Sequence, residues 1–267
     1  MENNEENQQT SAEQQPLEQQ EAEVFEGREE AMAASAAEIR AYAREAMRGQ
    51  WGYGVVVCLL ALVCYFAPVF PSLYIDENST LSTIWNIAET IYSWCLWFGF
   101  ITCFLDVARK RPCDPPRLFS SFRSIKFIFK LTLLEVFTSI FIVLWSLLLI
   151  IPGIMKAYSY SMSELILIDH PEYSPLKAIT ESKKMMYGHR VELFILGLSF
   201  IGWFLLCIVT FGFAALWIAP YFNTAKAKFY LNVKEEYEKK LAAEPIQEAE
   251  TVPAEPVEEE KGFEVEE

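Results

Sequence analysis

Long blocks of apolar residues run through residues 51–232, without the alternation of a half-buried strand. A block of about 20 apolar residues can cross the hydrocarbon core of a bilayer as a helix. Charged residues, Pro and Gly divide these blocks into about six segments. The pattern therefore predicts an all-α fold, a polytopic transmembrane helix bundle. The predicted spans are Trp51–Leu73, Ile84–Val107, Leu131–Ile151, Gly153–Asp169, Glu192–Val209 and Phe213–Tyr230.

Both ends of the chain are rich in glutamate. Residues 1–30 carry ten Glu and one Arg, and residues 244–267 carry ten Glu and one Lys. Segments of this composition cannot bury enough apolar surface to offset the entropy of ordering, so disordered acidic tails are expected at both termini. Each tail contributes −9 to the formal net charge of −14, which leaves about +4 for the chain between them.

Two helical segments are predicted beside the transmembrane domain of residues 51–232. In residues 31–50, Arg40, Arg44 and Arg48 recur every four residues and therefore share one helical face. This indicates an amphipathic juxtamembrane helix, which either lies against anionic lipid headgroups or only marks the topology. In residues 233–267, Glu235–Lys240 should extend the last helix before the acidic tail begins.

Basic residues lie on one side of the predicted membrane domain. Arg109–Arg111 and several further Lys and Arg follow the second span, whereas Ser72–Thr83 contains acidic residues and no Lys or Arg. Since basic loops stay in the cytoplasm, the pattern predicts a multi-pass protein of the plasma membrane with both termini cytoplasmic. A basic amphipathic helix is also expected within His170–Arg190, with Ser174 as its N-cap and Gly188 as its stop.

The stretch Ser146–Glu164 carries the strongest candidate for a site. Pro152 and Gly153 interrupt an apolar run, which predicts a tight hairpin or a discontinuous helix within the bilayer. Ionisable residues within a membrane are costly and are often functional, although they also serve as hydrogen-bonding groups between packed helices. The candidate polar intramembrane site comprises Glu135, Pro152, Gly153, Lys156, Tyr160 and Glu164.

Residue types that support enzyme chemistry are sparse. There is no nucleophile elbow, phosphate-binding loop, catalytic triad or Cys-x-x-Cys pair, and His170 and His189 are the only histidines. Five of the six cysteines lie in apolar blocks, where reduced Cys acts as a small hydrophobic residue. We therefore expect no enzymatic activity, no metal, no cofactor and no nucleic-acid partner.

Several segments of the sequence resemble the motifs of one protein family. They are Ile39–Ala46, Leu147–Met162, Ala178–Met186, Leu198–Trp203 and Trp217–Tyr221. Together they are similar to the bacterial integral membrane proteins grouped as domain-of-unknown-function family 975. This resemblance implies a bacterial membrane protein and carries no catalytic residues. A more distant similarity links the chain to the membrane region of some glycerophosphodiester phosphodiesterases, but their soluble catalytic domain is absent from this sequence.

Two hypotheses for function follow. The first is a non-enzymatic structural or regulatory protein, in which the bundle anchors acidic tails that recruit a basic protein partner. The second is a small permease or lipid-handling transporter that uses the Pro152–Glu164 hairpin. The lipid bilayer is the expected partner in both cases, and assembly into a homo-oligomer is left open.

Overall fold

A computed structural model describes residues 31–76 and 79–251, with only the backbone described for residues 244–251. This part of the chain is helical and contains no strand. Residues 1–30, and the acidic tail beyond residue 251, lie outside it. The helices are α1 (residues 31–46), α2 (Trp51–Phe66), α3 (Val69–Ser72), α4 (Thr80–Ala108), α5 (Ile125–Leu148), α6 (Ile150–Tyr160), α7 (Ser163–Asp169), α8 (Pro175–Met185), α9 (Arg190–Leu198), α10 (Ile201–Val209) and α11 (Ala215–Thr251), with a 3₁₀ segment at Pro115–Arg123.

Four helical stretches are long and apolar enough to cross a membrane. They are Trp51–Ser72, Thr80–Ala108, Ile125–Leu148 and Arg190–Val209. The other two predicted spans correspond to the pair α6–α7, which is interrupted after Tyr160, and to the first half of α11, where Asn223 and two lysines interrupt the apolar run. The all-α membrane helix bundle is confirmed, and four of its six predicted spans are helices of membrane-crossing length and composition.

The second half of α4 forms the centre of the bundle. Its residues from Cys95 to Ala108 are buried except Trp97, and they pack against α5, α11 and the 3₁₀ segment. Gly99 allows the closest approach, since a Cβ there would lie 1.8 Å from the carbonyl oxygen of Leu118. The backbone of the 3₁₀ segment therefore rests directly on α4.

Helix α1 is attached to the end of the bundle where α4 finishes. The side chains of Ala36, Ile39, Ala43 and Met47 are buried, and the Tyr42 hydroxyl donates a hydrogen bond to the carbonyl of Ala108 at 2.8 Å. Of the three spaced arginines, Arg40 donates to the Ser199 carbonyl and Arg44 to the Tyr221 hydroxyl, while Arg48 pairs with Glu45. Two of the three guanidinium groups thus bind the bundle itself.

The helix predicted within His170–Arg190 is present as α8. The Ser174 hydroxyl accepts a hydrogen bond from the Lys177 N–H at 3.3 Å, and Pro175 occupies the first helical position. Ala178, Ile179, Ser182 and Met185 form its buried face, which packs against α5, α6 and α7. Lys177, Lys183 and Lys184 are exposed on the opposite face, as the amphipathic pattern predicts.

Candidate functional site

The chain turns between α5 and α6 at Leu149, three residues before the predicted break at Pro152–Gly153. Leu149 has extended backbone angles, with φ −162° and ψ 140°, and Pro152 is the third residue of α6. In a continuous helix the ring of Pro152 would clash with the carbonyl of Leu148, the residue four positions earlier. In the first turn of a new helix its missing N–H has no cost, because those donors lack intrahelical acceptors. The break therefore precedes the proline.

Gly153 sets how closely the two arms of this hairpin approach. A Cβ at Gly153 would lie 2.8 Å from the Cα and 2.3 Å from the Oγ of Ser146 in α5. Only glycine permits such a contact without a shift of one helix. The predicted Pro-Gly hairpin is thus present, with proline placing the break and glycine allowing the arms to pack.

A second break separates α6 from α7 at Ser161 and Met162, within the predicted span Gly153–Asp169. Ser182 of α8 satisfies the backbone groups that this break exposes. Its hydroxyl accepts from the Met162 N–H at 3.3 Å and donates to the Ser159 carbonyl at 2.8 Å. Ser159 and Ser182 are fully buried. A buried backbone group without a hydrogen-bond partner costs roughly several kcal/mol in a lipid environment. Ser182 therefore stabilises the discontinuous helix.

Two of the predicted site residues pack on aromatic side chains of α5. The Lys156 Nζ lies 4.5 Å from the ring centroid of Trp145, which is a cation–π contact. Tyr160 is buried, and its ring centroid lies 6.2 Å from that of Phe141. Both contacts join the two arms of the hairpin.

Two other predicted residues come together as a pair of acids. Glu135 of α5 and Glu164 of α7 are electrostatic neighbours, and Lys226 of α11 is the nearby positive charge. All three residues are half-buried. Three ionisable side chains from three helices thus meet at one place in the bundle. Lys226 was not among the predicted residues, because α11 reaches this position only through the tertiary fold.

Asp169 forms the most highly connected ionic cluster of the described residues. It lies at the end of α7 and pairs with Arg109, the first residue beyond the Thr80–Ala108 span, through the Arg109 Nη2. Its other carboxylate oxygen accepts from the Lys234 Nζ at 2.7 Å and from the Tyr230 hydroxyl at 2.8 Å. This cluster joins the ends of α4 and α7 to α11. The sequence pattern does not reveal this cluster, since its four residues are separated by up to 125 positions.

The carboxylate of Asp169 is only 6% exposed, yet it is stabilised in its charged form. Burial alone would raise the pKa of Asp169. The hydrogen bonds from Arg109, Lys234 and Tyr230 outweigh burial and hold the pKa below its usual value.

A cavity of about 600 Å³ lies between α2, α4 and the turn that leads into α11. Its walls are almost entirely apolar and include Leu59, Leu62, Trp97, Phe213 and Leu216. None of the six predicted site residues lines it. The cavity can therefore take apolar groups, but it is separate from the Glu135–Glu164 pair.

Among residues 31–76 and 79–251, no three His, Cys, Asp or Glu side chains are grouped so that they could hold a metal ion. The six cysteines carry free thiols. For Cys113, which lies outside the spans, burial raises the pKa of the thiol to about 11, so it is not activated as a nucleophile.

Comparison with known proteins identifies one family. No curated protein and no solved structure is significantly similar to the chain, so the distant similarity to membrane regions of glycerophosphodiester phosphodiesterases stays a prediction. The model of the family described as protein of unknown function (DUF975) matches residues 32–155 and, overlapping at the α5–α6 hairpin, residues 147–237. These matches cover more than half of the sequence, and the chain therefore belongs to the DUF975 family of proteins of unknown function.

Proposed function

We propose that the protein is a non-enzymatic structural or regulatory protein of the bacterial plasma membrane. The observation that carries this proposal is the internal pairing of the Pro152–Glu164 hairpin. Its second break is closed by Ser182, Lys156 packs on Trp145 and Tyr160 packs on Phe141. A hairpin whose polar groups are occupied in this way acts as a packing element of the bundle.

The proposed orientation places both termini in the cytoplasm. Basic residues support it, because the segment between the Thr80–Ala108 and Ile125–Leu148 spans carries Arg109, Lys110, Arg111, Arg117 and Arg123. Helix α1 is attached to the same end through Tyr42 and Ala108, and so is Lys234 through Asp169. Under the positive-inside rule this end faces the cytoplasm.

In this proposal the acidic tails recruit a basic protein partner. The full chain and a chain lacking residues 1–30 and 244–267 would each be used to capture partners from membranes of the source cells. Loss of a partner on deletion supports the proposal. The matched control keeps the length of both tails but replaces their glutamates with glutamine. If the partner is captured equally well by all three chains, recruitment by acidic tails is wrong.

The Glu135–Glu164 pair favours a second candidate, a small permease or lipid-handling transporter. Paired carboxyl groups beside an ammonium group are typical of proton and ion pathways within membranes. The probe is proton flux into liposomes that contain the protein and a trapped pH-sensitive dye, driven by a potassium diffusion potential. If the protein transports protons, Glu164→Gln and Tyr160→Phe should reduce the proton flux, while the exposed control Glu172→Gln should not. Equal flux in all variants contradicts proton-coupled transport.

A further inference from the structure

A second cavity, of about 570 Å³, opens at the end of the bundle where basic residues gather. It lies between α4, the 3₁₀ segment and the first two turns of α5. Phe98 and Ile168 contribute an apolar wall, and among the described residues no acidic side chain lines the cavity. The basic residues at the cavity are Arg117, Arg123, Lys126 and Lys130.

Most of this positive charge has no carboxylate partner. Arg117 is the exception, since its Nε lies 3.1 Å from the Asp106 carboxylate. The Lys130 Nζ donates a hydrogen bond to the carbonyl of Pro171 at 2.7 Å. A carbonyl does not neutralise the positive charge of Lys130. For the described residues, no ion pair involves Arg123 or Lys126, and both side chains are exposed. Three uncompensated cations thus surround one cavity.

The start of α5 adds to the positive potential of this cavity. Ser124 is the N-cap of this 24-residue helix, and its side chain makes no capping hydrogen bond. The hydroxyl groups of Ser120 and Ser124 line the cavity beside the basic residues. A helix N-terminus carries a partial positive charge and unpaired N–H donors, which favour an anion. Cations, hydroxyl groups and a helix N-terminus together match a phosphate group.

The position of the cavity indicates where such a phosphate would come from. It lies at the boundary of two spans, and Thr102 and Phe98, which line it, belong to the Thr80–Ala108 span. On the neighbouring face of α5, Ile125 is 85% exposed and Phe129 is 64% exposed. An acyl chain could lie along these residues while its headgroup occupies the cavity.

We propose that this cavity binds a phosphate-bearing anion, namely the headgroup phosphate of an anionic phospholipid. This site is distinct from the tails and from the hairpin, so the test of lipid binding is independent of the proposed function. Basic pockets between transmembrane helices on the cytoplasmic side recognise acidic headgroups through the same combination of cations and depth in the membrane.

The test uses the full chain, purified in detergent and titrated with phosphatidylglycerol, with bound lipid counted by native mass spectrometry. The double variant Arg123→Gln and Lys126→Gln should bind one lipid about 25-fold more weakly, since each basic residue near an anionic lipid contributes about fivefold. The matched control, Arg48→Gln and Lys183→Gln, removes the same charge from exposed basic positions outside the cavity and should bind as the wild type does.

The conservative variant Arg123→Lys and Lys126→Arg keeps the charge and should retain the lipid. An unchanged affinity in the double glutamine variant, or an equal loss in the control, overturns the proposal. A parallel titration with added inorganic phosphate distinguishes the source of the ligand. Retention of phosphatidylglycerol assigns the site to lipid, whereas its displacement by phosphate ions keeps the phosphate chemistry and assigns the site to a soluble anion.

Discussion

At the scale of single residues, two polar side chains hold parts of this bundle together: the Ser182 hydroxyl binds the backbone at the break between α6 and α7, and the Asp169 carboxylate binds Lys234 of α11. Pro152 and Gly153 stand out in the sequence because their backbone requirements are local. Ser182 and Asp169 do not, since their roles depend on partners that only the tertiary fold brings near. The sequence predicted that Glu135 and Glu164 are functional candidates, but it could not show that they form a pair or that Lys226 lies nearby.

Replacing Ser182 tests the closure of the break between α6 and α7. Ser182→Ala leaves the Met162 N–H without its partner in a buried position, which should lower the free energy of unfolding by about 1–3 kcal/mol. Thermal unfolding in detergent measures the change. The matched control is Thr180→Ala, an exposed hydroxyl on the same helix, which should change the stability by less than about 0.5 kcal/mol. Equal stability of the two variants would contradict this role of Ser182.

Replacing Asp169 tests the ionic cluster. Asp169→Asn leaves Arg109 and Lys234 without their counter-charge, and we expect a loss of about 2–3 kcal/mol at neutral pH. Because the pKa of Asp169 is lowered in the folded protein, its contribution is present above the unfolded pKa and is lost as pH falls through the folded pKa. The difference between wild type and Asp169→Asn should therefore shrink in acid.

Chemical denaturation over a range of pH measures this difference. Glu38→Gln, at an exposed carboxylate of α1, is the control and should follow the wild-type curve. A constant difference between wild type and Asp169→Asn at all pH values would show that Asp169 contributes through packing and not through its charge.

At the scale of helices, the apolar pattern predicted the existence of the elements better than their ends. The hairpin was expected at Pro152–Gly153, but the chain turns at Leu149, because the proline ring excludes the carbonyl four residues earlier and fits the first turn of the next helix. The break at Ser161 and Met162 contains no Gly or Pro from which it could be predicted. It depends on Ser182, which lies twenty positions further along the chain.

Gly153 provides a test of the packing between α5 and α6. Gly153→Ala places a methyl group within 2.8 Å of the Ser146 Cα, so one helix must shift at a cost of about 1–3 kcal/mol. Gly197→Ala in α9 is the matched control, since nothing lies within 4 Å of a Cβ there, and it should be neutral or slightly stabilising. If the two variants unfold at the same temperature, the close approach of the hairpin arms is not required.

At the scale of the whole molecule, hydropathy and charge predicted the fold class and the membrane environment. Four predicted spans are long apolar helices. The two that differ, α6–α7 and the first half of α11, are those that carry Lys156, Glu164 and Lys226. These polar residues lower the hydropathy of the two segments, and Lys156 packs on Trp145 of α5 within the bundle. This packing is the basis for proposing a structural role in place of transport.

Cysteine accessibility tests whether the Pro152–Glu164 hairpin is packed within the bundle. All six native cysteines are replaced, and single cysteines along Lys156–Glu164 are treated with membrane-impermeant thiol reagents from each side. A packed hairpin predicts that the buried positions Ser159, Tyr160, Met162 and Ser163 stay unlabelled from both sides. Labelling every three to four residues deep into the segment would reveal a water-filled path, contradict the structural role and favour the transporter.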